Sequence, residues 1–386
     1  MKKYLTLFAA ALMVTACQND DTTAEEHQPG DAISIGVDED GLTRAPGEVN
    51  TASKLAEKGF GIFASYTGKL KYENTTVSPD FMYNQKVIGE SNGSTYNWEY
   101  YPVKYWPNTT DQDNAANNEY LTFFAYAPYE ADPKDDGRAL IDLSKKYDLG
   151  DPWINFRLPA DPWGEGGQVD LMYGVKVGGL TDTGWDDELF IDQQKSSYGT
   201  NDKLRFIFRH ALACVGDEIT IKLGSDMSEY INGYASIMID KLTINYKNLT
   251  TKGRLVLNSP SGPNWKEIIS GELTTTRTLV KNLNTPLQLT TAAQELSSGE
   301  GLFYIPMQLK GTDAPVAEVT IDYTITNNAN TLYEGQATTT FTLSTTLEGQ
   351  KQGSALQITK DLDLLHLTYD ITDEPATEPS YSREAR

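Results

Sequence analysis

In "AEVTIDYTIT" (317–326), Val319, Ile321, Tyr323 and Ile325 alternate with Thr320, Asp322, Thr324 and Thr326. A period of two separates a dry face from a wet one only in an extended strand, where successive Cβ atoms point to opposite sides. "EITIKL" repeats the pattern, with Ile219, Ile221 and Leu223 opposed to Thr220 and Lys222. "GFGIFASY", "LTFFAYAP", "KLRFIFRH", "LTINY" and "GLFYIPMQL" are further short runs of branched and aromatic residues. Turn clusters such as "ESNGST", "NTTDQDN", "KDDGR" and "GEGGQ" separate them, as strand and turn chemistry require. One wet and one buried face is the pattern of antiparallel sandwiches. No long helical period or fixed-period repeat occurs; only "NTASKLAEKG" and "LTTAAQELSSG" have the makings of a helical turn or two. Near residue 215 a stretch dense in Tyr, Trp and Pro gives way to one dense in Thr. The expectation is an all-β chain with two β-sandwich domains, 45–215 and 216–373, and a polar tail over 374–386.

The start of the chain reads as a processing segment. Lys2 and Lys3 precede the apolar run "YLTLFAAALMVTA" (Tyr4–Ala16). That run is too short for a hydrocarbon core needing about 20 residues, so residues 1–16 read as a secretory signal. "VTAC" resembles a bacterial lipobox, which implies a lipidated Cys17; the alternative is an ordinary signal peptide ending beside a cysteine. The chain has two cysteines, so lipid on Cys17 leaves Cys214 without a disulfide partner. In the apolar context "HALACV" it reads as a small buried hydrophobe. The formal net charge of −22 argues against nucleic acid, whose binding rests on neutralising phosphates, and against bare anionic lipid. It suits a self-repelling extracellular surface.

Between the signal and the first domain lies an acidic leader, 17–44. Within it, Ile33, Ile35 and Val37 alternate with Ser34 and Gly36 after Ala32, a strand signal over 32–37 with nothing local to pair with. Such a strand docks on the downstream domain or stays exposed as an aggregation hazard. Arg44 is the sole Lys or Arg between Lys3 and Lys54, and a solvated linker has no need of it.

Signatures of chemistry are sparse. GxSxG, HExxH, P-loop and GxGxxG patterns are all missing, and "WGEGGQ" has the wrong spacing for phosphate binding. His27, His210 and His366 are far apart in sequence and read as structural residues. "TGWDDELF" offers the carboxylates Asp186, Asp187 and Glu188, but a glycosidase needs a pair facing across a cleft. Asp111 and Asp113 lie in a loop without the glycine and terminal Glu of an EF-hand. No catalytic residue, metal site or cofactor is expected. "NWEYYPVKYWPN" (97–108) concentrates aromatics. Either Trp98, Tyr101, Tyr105 and Trp106 form a platform for sugar rings, or the segment delivers large side chains to the core.

Taken in order, the lipobox, "GLTRA", "GIFASY", "YYPVKYWPN" with "LTFFAYAPY", "DLMYGVK", "LRFIFRHALACV" and "GLFYIPMQL" resemble the fimbrillin family of Bacteroidales, the type V pilins. The resemblance implies two transthyretin-like sandwich domains and a lipoprotein precursor that reaches the outer membrane, helped by an export signal similar to "CQNDD". It also implies that a trypsin-like, Arg-specific protease cuts the leader. In this chain the cut falls between Arg44 and Ala45; a proline at position 45 rather than 46 would have blocked it. Ile33, Ile35 and Val37 would plug a groove until then, and a strand of another fimbrial subunit would fill it afterwards. The family's donor strand is an alternating segment at the extreme C-terminus. Here "LDLLHLTYDI" looks needed inside the second sandwich, and "TDEPATEPSYSREAR" after it carries two prolines, which remove ladder donors. The expectation is therefore a tip subunit that contacts an unidentified host or bacterial surface receptor. Three other readings stay open: a stalk subunit donating 362–371, an outer-membrane-anchored glycan-binding lipoprotein, and a surface glycan hydrolase.

Overall fold

A computed structural model describes residues 32–38 and 51–370 except 74–75, 108–118, 132–139, 151, 165–166, 177–179, 182–183, 186–187, 199–201, 217, 225–234, 260–262, 269–272, 299–300, 329, 344, 346–354 and 360–364. Cys17, His27, Arg44, Ala45, Asp111, Asp113, Asp186, Asp187 and the tail after residue 370 lie outside the described residues.

The first strands are β1 (Ile35–Val37), β2 (Phe60–Gly68), β3 (Met82–Asn92), β4 (Thr95–Tyr100) and β5 (Tyr120–Ala127). Next come β6 (Ile141–Leu143), β7 (Trp153–Arg157), β8 (Met172–Lys176), β9 (Leu180–Thr181), β10 (Gly184–Trp185), β11 (Phe190–Gln193) and β12 (Leu204–His210). After them follow β13 (Ala213–Val215), β14 (Glu218–Leu223), β15 (Ser236–Thr250), β16 (Lys252–Val256), β17 (Asn264–Glu267) and β18 (Thr274–Gln288). The last are β19 (Gln294–Ser298), β20 (Leu302–Tyr304), β21 (Val316–Asn327), β22 (Asn330–Thr342), β23 (Ala355–Thr359) and β24 (Leu365–Asp370). The chain is all-β in architecture. No helix among the described residues is long and apolar enough to cross a membrane.

An eight-stranded sheet runs β1-β12-β8-β5-β2-β3-β4, with β11 paired to β5. It differs from the expected wet-and-dry alternation, because in its middle strands both faces are buried. Phe63, Phe124, Tyr126, Val175 and Ile207 point into one core; Phe60, Ile62, Phe123, Met172, Phe206 and Phe208 point into another. That is why "LTFFAYAP" is apolar at nearly every position: a strand covered on both sides has no wet face to mark its period. The alternation expected of "AEVTIDYTIT" holds in β21, whose burial alternates along most of its length. It pairs with β15 and β22 in a sheet ordered β18-β15-β21-β22.

Strands from the two sides of residue 215 share a third sheet, ordered β17-β16-β7-β6, in which Leu255 faces Ile154 and Gly253 faces Phe156. The larger core is likewise contiguous, running from Phe63 to Phe341 and Leu343. A fourth sheet, β19-β14-β24-β23, sets β24 between two neighbours.

Of the two stretches with helical promise, one is a helix. In α1 (Ala52–Lys58) the Thr51 hydroxyl caps the first turn by accepting from Lys54 N–H, and Leu55 and Ala56 are buried. Gly59 ends it at φ +75, where a Cβ would lie 2.5 Å from the Val87 carbonyl oxygen; only glycine fits. Within "LTTAAQELSSG", Gln294–Ser298 is instead the strand β19, paired to β14.

Candidate functional site

The leader strand occupies a seam of the first sheet. β1 lies parallel to β12, with Ile35 opposite Leu204, Gly36 opposite Arg205 and Val37 opposite Phe206. The Ser34 carbonyl accepts from Leu204 N–H at 2.9 Å, and Asp38 N–H donates to the Phe206 carbonyl at 2.9 Å. The opposite edge is held too. Ile33 N–H donates to the Lys104 carbonyl at 2.9 Å, Ala32 bridges Tyr105 in antiparallel fashion, and the Tyr100 phenol donates to the Ile33 carbonyl at 2.8 Å. The strand thus ties β12 at one end of the sheet to the segment after β4 at the other.

Side-chain chemistry follows the sequence pattern. Ile33, Ile35 and Val37 are 2 %, 2 % and 5 % exposed and belong to the second core. Burying side chains of this size contributes roughly 1.5–3 kcal/mol each. Ser34 faces solvent. Gly36 is covered by the aliphatic stems of Arg205 and Lys203, which would stand 3.3 and 3.4 Å from a Cβ, so a small residue suits this position.

The floor of the seam is aromatic. Phe206 packs against Phe190 at 4.7 Å between ring centroids, and Phe60 against Phe208 at 4.9 Å. Gly174, within "DLMYGVK", makes room for this ring: a Cβ there would come within 2.8 Å of Phe206 Cδ1 and Ala125 Cβ. Burial pushes the Tyr100 phenol up to about 12, chiefly by desolvation, with the Lys104 backbone hydrogen bond opposing. It is a neutral donor at any physiological pH.

The aromatic segment 97–108 divides. Trp98 and Trp106 are core residues, 7 % and 3 % exposed. Trp98 packs on Phe60 at 5.5 Å, and Trp106 stacks on Tyr198 at 5.4 Å. Tyr101 and Tyr105 are on the surface. The four do not form one exposed platform, because the strand's pleat and the two buried indoles send them to different environments. Tyr100, absent from the sequence-derived candidates, holds the leader by its side chain, while Tyr105 meets it through the backbone. The Tyr100 phenol could have been noted as a donor able to reach a neighbouring backbone, but nothing local names Ile33 as the acceptor.

The remaining candidates have structural surroundings. His210 Nδ1 and Asp170 Oδ1 are 2.8 Å apart, both side chains buried. Glu188 forms an ion pair with Lys176 at 3.4 Å. Cys214 is buried. Among the described residues no group of three His, Cys, Asp or Glu side chains could hold a metal ion.

The fold and this site define an all-β protein whose first described strand, β1, lies along the edge of its first sheet. Fimbrium subunit Fim1C of Phocaeicola vulgatus is 28 % identical over 238 residues, which cover 60 % of this chain. The match spans about half of that relative's length, 55 %. The crystal structure of a fimbrial protein from Bacteroides vulgatus superposes with a TM-score of 0.57 at 22 % identity, covering 81 % of this chain and 90 % of that one. No family model matches the chain. The resemblance to the fimbrillin family is supported in sequence by the first comparison and in fold by the second.

Proposed function

We propose that the protein is a structural and adhesive subunit of cell-surface fimbriae, without enzymatic activity, assembled by strand exchange and built from two transthyretin-like sandwich units. In this reading the precursor is a lipoprotein anchored to the outer membrane through Cys17. A trypsin-like protease cuts between Arg44 and Ala45, β1 leaves, and a strand from another fimbrial subunit takes its place. The observation that carries the reading is the leader strand itself: a short apolar strand, bonded on both edges, followed six residues after Asp38 by the lone arginine of an acidic stretch.

The physics of release is simple. While the chain is intact, β1 is tethered beside its groove at a high effective concentration. After a cut at Arg44 it is a separate peptide held by three buried side chains and a few hydrogen bonds, so dilution favours its loss. The vacated edge of β12 then presents unpaired N–H and C=O groups with an apolar floor, a template for an added strand.

Arg44→Ala tests the reading. The expected outcome is a surface protein that keeps residues 17–44 and its lipid and is missing from sheared fibres. Normal polymerisation of this variant would sink the strand-exchange mechanism. Within the fibre we place the subunit at the tip. β24 is paired along both edges, to β14 and β23, so it is committed to its own sheet and is not free to be donated.

A further inference from the structure

We infer that the outer face of the sheet β17-β16-β7-β6 is a binding surface for an anionic polysaccharide, one carrying sulfate or carboxylate groups along its length. The chain as a whole holds 54 Asp and Glu against 32 Lys and Arg. These four strands reverse that balance. They carry four basic residues, Arg157, Lys252, Arg254 and Lys266, and two acidic ones, Asp142 and Glu267. The pleat sorts them by face. Ile154 and Leu255, a facing pair, are buried in the larger core, so the residues one position away from them look outward. The four cations and Asp142 share that outer face, whereas Glu267, paired to Gly253, belongs to the inner one.

This charge does not serve the fold. Lys252 stands directly opposite Arg157, and Arg254 directly opposite Lys266. Like charges in facing positions are destabilising, a cost that the protein carries while the face is empty. Lys252, Arg254 and Lys266 form no ion pair among the described residues. In so acidic a chain, cations left without carboxylates of their own make a local positive field that draws an anion from outside.

Arg254 is held ready as the recognition group. Its Nε donates to Asn155 Oδ1 at 3.0 Å, and its guanidinium carbon lies 3.8 Å from the centre of the Trp153 ring. Asn155 Nδ2 in turn donates to Asp142 Oδ2 at 3.1 Å. The carboxylate therefore orients the arginine through a neutral amide and does not neutralise it. Nη1 and Nη2, which donate to nothing among the described residues, present the fork that oxyanions accept. A cation fixed before the ligand arrives lowers the ordering cost of binding.

The spacing selects a polymer. Adjacent strands lie about 5 Å apart and alternate residues of one strand about 7 Å apart, so Lys266, Arg254 and Lys252 spread wider than a single small oxyanion. A chain with anionic groups on successive units reaches all three. An acidic globular partner would press a wide negative surface against a chain of net charge −22. A thin polymer touches the basic strip alone, and charges more than a Debye length away, about 8 Å, are largely screened. The surface gives a ligand class to the proposed adhesive role and rests on that reading for its setting, but binding itself does not need strand exchange.

The test is surface plasmon resonance, with the purified full-length protein passed over immobilised heparin, hyaluronan and neutral dextran, and over poly-glutamate and double-stranded DNA as other polyanions. Heparin or hyaluronan should bind, more weakly as salt rises, and dextran should not. Arg254→Lys keeps the charge and loses the fork, and should weaken binding about tenfold. Lys252→Gln combined with Lys266→Gln should also weaken binding, and because it removes like-charge neighbours the denaturant midpoint should hold or rise. A lower midpoint would make these lysines structural and overturn the site. So would absence of binding to both anionic polysaccharides, equal binding to poly-glutamate or DNA, or wild-type affinity in both variants. Unassembled subunits suffice for every measurement, so the outcome is separate from that of Arg44→Ala in fibres.

Discussion

Ile35 is the central side chain of the leader strand, opposite Leu204 and 2 % exposed. A carboxylate in its place would be buried without a partner, a cost of several kcal/mol, added to roughly 2–4 kcal/mol for the lost apolar side chain. β1 is one short strand at a sheet edge, so the expected response to Ile35→Asp is undocking rather than global unfolding. Trypsin should then cut the purified precursor at Arg44 much faster than it cuts wild type, with the main thermal transition little changed. Equal cleavage rates, read by mass spectrometry, would mean that docking of this strand does not protect the leader. Gly36 shows the complementary constraint on the other face, where the stems of Arg205 and Lys203 would have to shift slightly to admit a Cβ.

At the scale of elements, the two strands that the strand-exchange proposal turns on are opposites. β1 pairs with one strand along three residues and closes a seam by single contacts on its other side. β24 has a neighbour along each edge, six register pairs with β14 and five with β23. Local opening draws on the segments with fewest cooperative bonds, which under the proposed mechanism favours release of the first and retention of the second. Immunogold label against this subunit on native fibres should therefore mark one distal point; label along the shaft would remove the tip assignment. Much of this was legible in the sequence. The period of "AISIGV" marked Ile33, Ile35 and Val37 as one apolar face, and the alternation of "AEVTIDYTIT" marked β21. The docking partner was not legible, because β12 lies about 170 residues further along the chain and no local pattern encodes which edge a strand will meet. The pairing of β7 with β16 escaped for the same reason: a change in composition near residue 215 says nothing about strands that cross it. The aromatic segment left two readings open, since Trp98 and Trp106 have the same chemistry in a core as on a sugar platform.

Across the whole molecule, buried phenols set an alkaline limit on the native state. Tyr100 and Tyr198 rise to about 12, with burial the main cause in both, and Tyr126 is raised by burial as well. A phenol ionises near 10 in an unfolded chain. Each raised group therefore contributes stability that is whole below about pH 10 and is lost as pH climbs through the folded value. The denaturant midpoint should be flat from neutral pH to about 10 in this respect and then fall steadily toward 12. The share of phenolate absorbance that comes from these buried tyrosines should rise in step with unfolding. Tyr100 allows the effect to be localised, because its hydroxyl donates to Ile33 and accepts from Lys104 N–H. Tyr100→Phe should cost about 1–3 kcal/mol of leader docking at neutral pH, leaving the Ile33 carbonyl without that donor. Hydrogen exchange in residues 32–38 should therefore be faster in the variant near neutrality. Between pH 10 and 12 wild type loses the same bond by ionisation, so its exchange should converge on that of the variant. Exchange rates that stay apart throughout that window would show that ionisation of Tyr100 does not loosen the leader.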